Sequence, residues 1–337
     1  MSIQNAKHIL IHCTFNIGDV ILTLPLAGIL KQHLPHVKIS FLGYEYTRDI
    51  AEQSSHVDAF YSWDDFARMT QSDAIAKIKT LAFDVVIHES PNKVIAQLMK
   101  KAGIPIRIGT SHRVYHWFTC NKWVCLSRKK SNSHEAQTSL KLLKPFHIPI
   151  NDDLMFLHER MGFKKVEPLS PQLQSILKPD RFNLIVHPFS NKHALEWPPK
   201  LFNALIQQLP QDKIHVIVTG SKKESDEIAH IVMPGCEYAT NLSGQLSLKE
   251  LIQFIAHADG LVTNATGPLH IAAAFGIHAL GLYPVLIVDR WKPIGKKAEY
   301  IASDPKCNAP TCFDKMDCRC MESITVDQVK AGIMRWV

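Results

Sequence analysis

No run of about 18 uninterrupted apolar residues occurs anywhere in the 337-residue chain, and without one a membrane-spanning helix is excluded. The opening Met1-Ser2-Ile3-Gln4-Asn5-Ala6-Lys7 leads straight into a strand-like run and lacks the apolar core of a signal peptide. Cytosolic residence is therefore expected, with the eight cysteines mostly reduced thiols. Short-period repeats and low-complexity tracts are missing, which removes solenoids from consideration. The eighteen histidines form no His-Glu-x-x-His pattern, and the cysteines form no Cys-x2-Cys knuckle. No recognisable nucleic-acid-binding module is present, and nucleic acid is not expected as a partner. With 46% hydrophobic and 20% charged residues, an ordinary globular protein remains.

A chain this long exceeds the usual limit for one hydrophobic core, so two domains are the default. The first half alternates strand-like runs at 8–12, 37–42, 59–61, 84–88 and 107–109 with helical patterns at 20–34, 72–81 and 93–101. Residues 158–182 break this rhythm with Glu167-Pro168, Ser170-Pro171 and Lys178-Pro179 and are assigned to an interdomain connection. A second set follows, with strands at 183–187, 214–219, 260–263 and 279–282 and helices at 200–209, 224–232, 248–256 and from 268. Strands alternating with helices imply right-handed crossovers and parallel sheets. The boundaries expected are 1–165 and 180–320, with a last amphipathic helix at 321–337 carrying Val326, Val329, Ile333 and Trp336 at helical spacing.

Two strand-to-helix turns carry chemistry. In Val262 to Ala274, an apolar strand feeds Asn264-Ala265-Thr266-Gly267, and a helix opens at about Pro268. Such a turn presents unpaired N–H groups at the positive end of a helix dipole, a site for an anion such as a diphosphate. Thr266 adds a hydroxyl, Gly267 permits close approach, and His270 lies one turn in. In the first half, Gly18-Asp19 lies where the first strand turns into the first helix, at the carboxyl end of the expected sheet, where open α/β sheets bind ligands. Both turns are also compatible with ordinary helix capping.

Four segments in order resemble glycosyltransferase family 9, the lipopolysaccharide heptosyltransferase family. They are Asn16-Ile17-Gly18-Asp19-Val20 with Leu24-Pro25; His187-Pro188-Phe189-Ser190 through Glu196-Trp197-Pro198; Thr219-Gly220-Ser221-Lys222-Lys223-Glu224; and Thr266-Gly267-Pro268-Leu269-His270. The resemblance implies an α/β chain of two doubly wound Rossmann-like domains facing across a cleft, the GT-B arrangement. It implies an inverting, metal-independent glycosyltransferase, with no cofactor, that uses a nucleotide-diphosphate sugar, ADP-heptose foremost. Asp19 maps onto the base that takes the acceptor hydroxyl's proton. Ser190, Lys192, Glu224, Asn264, Thr266, Gly267 and His270 map onto donor-binding positions, with His193 an alternative source of positive charge. Two departures bear on the donor sugar: Asn264-Ala265 replaces a common Asp, and Leu195 replaces a basic residue. The expected acceptor is an anionic lipopolysaccharide-core or other lipid-linked saccharide, reached by peripheral association with the cytoplasmic membrane face. A sugar-nucleotide-binding protein without transferase activity and a nucleotide-sugar epimerase of the same fold are the alternatives.

The excess positive charge of +7 is unevenly placed. Arg107, Arg113, Lys122, Arg128, Lys129 and Lys130 cluster with His112, His116, Tyr115, Trp117 and Trp123. Arg107, Arg113, His116, Lys122 and, beyond this loop, His134 are the candidate acceptor contacts; the aromatics suit sugar faces or a membrane interface, and a solvated basic loop is the simpler reading. Cys307, Cys312, Cys318 and Cys320 permit a zinc site, packed thiols or disulfides. Cys13 is expected as a packed thiol. The last helix is expected to return to the first domain.

Overall fold

The structure is a computed structural model that describes residues 2–128, 133–163, 167–190, 192, 194–304 and 319–337. Lys129, Lys130, His193, Cys307, Cys312 and Cys318, all named above, lie outside the described residues. The chain divides into two compact units, Met1–Lys164 and Lys165–Val337.

The first unit holds six parallel strands: β1 (His8–His12), β2 (Lys38–Gly43), β3 (Ala59–Ser62), β4 (Val85–His88), β5 (Ile106–Thr110) and β6 (Lys122–Val124). Their spatial order is β3-β2-β1-β4-β5-β6. The second unit repeats this plan with β7 (Phe182–His187), β8 (Ile214–Val218), β9 (Thr240–Asn241), β10 (Gly260–Asn264), β11 (His278–Tyr283) and β12 (Ala298–Ala302). Their order is β12-β11-β10-β7-β8-β9. In each sheet the connection reverses direction once, between β1 and β4 and between β7 and β10. Such a switch point leaves a crevice outside the carboxyl ends of the two strands.

The strands read as continuous apolar runs because helices cover both faces of a parallel sheet. Ile9, Leu10, Ile11, Val85, Val86 and Ile87 are all buried, as are Leu184, Ile185, Val186, Leu261 and Val262. The helix Ile17–His33 is buried from Val20 to Leu30. It packs so closely that a Cβ on Gly28 would lie 2.2 Å from the carbonyl oxygen of Arg160, so no side chain fits there. Gly276, at φ +73°, closes the helix Gly267–Phe275 in the left-handed conformation that favours glycine.

Three features depart from the sequence reading. The first helix begins at Ile17 rather than near Val20, which places Asp19 inside its first turn. Elements at 122–124, 285–291 and 298–302 carried no clear period, and the 224–232 segment is a short helix, Ser225–Glu227, followed by a wider turn over Ile228–Val232. The last helix was expected to return to the first domain; Val326–Met334 packs Val329 and Ile333 with Phe202, Leu205 and Val216 in the core of the second unit. Just beyond it, Trp336 meets Phe182 and His278 and donates to Glu299 Oε1 at 3.0 Å. Those apolar partners already exist beside β7 and β11, so the helix completes its own unit's core.

Candidate active site

Both turns singled out in the sequence stand at the switch point of their own sheet. In the first unit, Asn16 precedes the helix Ile17–His33, and its N–H donates to Asp19 Oδ2 at 3.2 Å. The Asn16 side chain is held in turn by the Tyr46 hydroxyl, which donates to Asn16 Oδ1 at 2.8 Å. Asp19 therefore does act as a capping residue, as the simpler reading had it. Its environment goes beyond capping. Burial, together with the negative charges of Glu89 and Glu135, pushes its carboxyl up to about 7, against the pull of the Asn16 N–H and Arg128. No Lys, Arg or His forms an ion pair with it among the described residues.

Glu89 follows β4 directly, so the parallel pairing of β1 with β4 brings it to the same end of the sheet as Asp19. It is 2% exposed. The Arg128 guanidinium reaches between two carboxylates, donating to Glu89 Oε1, to the Glu89 carbonyl at 3.0 Å, and to Glu135 Oε1. Ser139 Oγ donates to Glu89 Oε1 at 3.1 Å, while Glu89 Oε2 has no hydrogen-bond partner among the described residues. Burial drives the Glu89 carboxyl upward and Arg128 opposes it. Two carboxylates share one guanidinium beside Asp19, so the local balance is negative. Cys13, buried beneath this cluster, has its thiol pushed up by burial, which makes it a packed side chain rather than a nucleophile.

Three histidines fill the interior next to these strand ends. His12 Nδ1 and His88 Nδ1 share a hydrogen bond of 3.0 Å, and the His88 and His116 rings stack at 5.6 Å. Burial pushes His12 down to about 3 and holds His88 and His116 below their ordinary range. They are neutral core rings. Among the described residues, no group of three or more His, Cys, Asp or Glu is arranged to hold a metal ion.

The expected acceptor contacts separate into two kinds. His116 is buried, with Nδ1 against the Thr110 carbonyl at 3.0 Å, and Arg107 is spent on the backbone carbonyls of Thr119 and Ile104. His134 caps the helix Glu135–Leu140 from a buried position, its Nδ1 accepting from the Ala136 N–H at 3.2 Å. Each of these three is engaged with the backbone around it. Arg113 and Lys122 remain exposed.

In the second unit, Thr266 stands before the helix Gly267–Phe275, half-buried, and its hydroxyl does not cap the helix. Gly267 and Pro268 open this helix, the Leu269 N–H donates to the Thr266 carbonyl at 3.2 Å, and buried His270 lies one turn in. Asn264 is different. Fully buried, it accepts from the Trp197 N–H at 2.7 Å and donates through Nδ2 to the Pro188 carbonyl at 2.6 Å. Its side chain is a clamp between β10 and the 188–197 segment. Ser190 donates from its N–H and its hydroxyl to Glu196 Oε1, at 2.6 and 2.8 Å. Lys192 is exposed at φ +59° and sends its own N–H toward the same oxygen at 3.4 Å. Glu224 Oε2 accepts from the N–H and hydroxyl of Ser221 at 2.8 and 2.7 Å and so closes the turn after β8. Near it, His187 shares a 2.9 Å hydrogen bond with Thr219 Oγ1 and is pushed down to about 4 by burial.

The sequence reading passed over Glu89 and Glu196, and it counted Arg128 only as surface charge. Glu89 had a usable signal, since it comes directly after the strand that a doubly wound order sets beside β1.

The model of glycosyltransferase family 9 (heptosyltransferase) matches residues 74–319. Lipopolysaccharide heptosyltransferase 3 of Escherichia coli (strain K12) is 26% identical over 295 residues, covering 82% of each chain. Among solved structures, ADP-heptose lps heptosyltransferase II of E. coli superposes with a TM-score of 0.76 at 18% identity over 98% of each chain. A family 9 glycosyl transferase from Veillonella parvula gives 0.78 at 19% identity, over 100% of this chain and 98% of its own. These structural likenesses establish the shared GT-B fold class of two parallel six-stranded units. With a family match over most of its length, this chain belongs to glycosyltransferase family 9.

Proposed function

We propose that the protein transfers a sugar, with inversion, from a nucleoside diphosphate donor to a hydroxyl of a lipopolysaccharide-core saccharide, and that the donor is ADP-heptose. The observation that carries this reading is the Asp19 carboxyl: half-buried, in no ion pair among the described residues and poised at about 7. A general base works best when its pKa lies near the operating pH. Asp19 takes the acceptor proton as the hydroxyl oxygen attacks the anomeric carbon, and the bond from that carbon to the diphosphate breaks on the opposite face.

The leaving diphosphate gathers negative charge. The first turn of the helix Gly267–Phe275 and the Thr266 hydroxyl meet that charge with donors fixed in advance, which is how preorganised dipoles lower a barrier without a metal. Lys192 supplies a mobile positive charge, and Ser190 reaches the phosphates when Glu196 gives up its hydroxyl. Glu224 holds the nucleoside ribose or base. The relatives' names, which specify lipopolysaccharide and ADP-heptose, support the donor and acceptor classes.

The experiment is incubation of the chain with a panel of sugar nucleotides and a core-saccharide acceptor, with and without chelator, followed by mass analysis of products. Transfer to the acceptor is expected, with Asp19→Ala losing turnover by at least about a thousandfold and keeping donor affinity. Conversion of donor without acceptor, or donor binding with no product, would replace the transferase reading. Retained turnover in Asp19→Ala would remove the base.

A further inference from the structure

We infer that Tyr44 and Tyr46 form a platform on which an uncharged sugar ring of the acceptor lies beside the Asp19 carboxyl. The inference rests on the proposed role of Asp19 as base and names the chemistry of the ring presented to it. β2 is the neighbour of β1 on the side away from β4. The Cys13 N–H donates to the Leu42 carbonyl at 2.9 Å, so the residues after β2 run alongside the turn that leads to Asp19. Tyr44 and Tyr46 are the first aromatic residues beyond that strand.

The two rings are nearly parallel, at 15° to each other, with centroids 6.1 Å apart. Tyr44 is half-buried, and Tyr46 is 49% exposed. Tyr46 is fixed by its far end, where the hydroxyl donates to Asn16 Oδ1 at 2.8 Å. Asn16, itself exposed, donates its N–H to Asp19 Oδ2. Two hydrogen bonds thus tie an exposed aromatic ring to the carboxyl. Holding Asn16 accounts for the phenol hydroxyl, but not for the bare ring or for the second ring parallel to it.

The charge around the platform selects the ligand. From Tyr44 to Arg68 the chain has six Asp or Glu and two Lys or Arg, in a protein whose net charge is +7. Both of those cations are already paired, Arg48 with Glu45 and Glu52 and Arg68 with Asp65. Burial, then the negative charge of Asp19 and to a lesser degree that of Asp64, push the Tyr46 phenol up to about 12, so it stays an uncharged donor. A phosphate or carboxylate on the bound ring would be repelled here, and a nucleotide base would bring its phosphates into the same negative field. An uncharged pyranose fits: its C–H face meets the negative face of an aromatic ring, and its rim hydroxyls donate to carboxylates. A ring held in that way presents a rim hydroxyl to Asp19 in one orientation, which lowers the entropic cost of the attack.

The test combines saturation-transfer NMR with kinetics, using the full chain and a soluble lipopolysaccharide-core oligosaccharide that ends in an uncharged pyranose. The same oligosaccharide phosphorylated on that ring is the second probe. Irradiating the protein's aromatic protons should saturate the C–H signals of the uncharged terminal ring, and Tyr44→Leu and Tyr46→Leu should each weaken its binding by about tenfold. Tyr46→Phe keeps the ring and should hold affinity within about twofold, while kcat falls because Asn16 is released. The phosphorylated ring should bind more weakly by about tenfold or more. An unchanged donor KM and unfolding temperature in Tyr44→Leu would separate the platform from general damage. Equal affinity of the wild type and both leucine variants, tighter binding of the phosphorylated ring, or no saturation of the terminal ring overturns the inference, whether or not sugar is transferred. Loss of saccharide affinity in the leucine variants, with no transfer by the wild type, would instead remove the transferase reading and leave the platform in place.

Discussion

Replacing Glu89 by Gln should move the acid limb of the transfer reaction to lower pH. In the proposed reaction Asp19 serves as base only when ionised, and it holds its proton up to about pH 7. Wild-type kcat/KM should therefore fall about tenfold for each pH unit below that point. Glu89 is one of the two negative neighbours that, with burial, produce this elevation. About 1.4 kcal/mol moves a pKa by one, and at an effective dielectric of about 20 two unit charges reach that size of interaction within about 10 Å of each other. Asp19 is only half-buried and solvent screens part of this, so the midpoint should drop by about one pH unit. Arg128, left with Glu135 alone, adds to the same direction, because more of its positive charge then acts on Asp19.

Gln keeps an oxygen for Ser139 and Arg128, so the helix Glu135–Leu140 retains its anchor to this site. Two measurements report the effect. One is the pH profile of kcat/KM, followed by release of nucleoside diphosphate in the presence of acceptor. The other is a carbon-13 NMR titration of the Asp19 carboxyl, which needs no substrate. A midpoint that stays in place or rises, in a variant that unfolds at the wild-type temperature, would refute the charge coupling on which the base assignment depends.

Two further outcomes follow from the same structure. The folded Asp19 keeps a proton between about pH 4 and 7 that the unfolded carboxyl releases, so stability falls as pH rises through that window; Asp19→Asn should be more stable than wild type by about 2 kcal/mol above pH 7 and equal to it near pH 4, as read by urea unfolding across pH. Asn264→Asp should destabilise the second unit by about 3 kcal/mol at neutral pH, because the donor to the Pro188 carbonyl is replaced by a buried carboxylate; recovery of most of the loss at about pH 4, where the acid regains an O–H donor, would mark that hydrogen bond as the cause, and equal loss at both pH values would refute it.

Much of the architecture was legible because a parallel sheet buried on both faces forces apolar runs, and the helices between them follow a 3.6-residue period. The helix Lys93–Lys101 and the strand His8–His12 were read to the residue. Missed elements share a physical reason. β6 is three residues long on a sheet edge with two exposed side chains, and β12 is a half-exposed edge strand, so neither needs a hydrophobic pattern. The last helix was misplaced for another reason. Amphipathic spacing reports that a face will be covered, but Val329 and Ile333 carry no mark saying which core will cover it.

The site shows where local reading stops. Asp19, Thr266 and Gly267 belong to short contiguous segments, and a strand-turn-helix pattern points to them directly. The surroundings of the raised Asp19 carboxyl are spread over residues 16, 46, 89, 128 and 135, brought together by parallel pairing. Asn264 makes the converse case. Read along the chain, it seemed to replace a charged donor contact; in the fold, both ends of its amide are consumed in holding Trp197 and Pro188. An Asp offers that geometry two acceptors and no donor at neutral pH, so an amide at 264 follows from the backbone it must bridge.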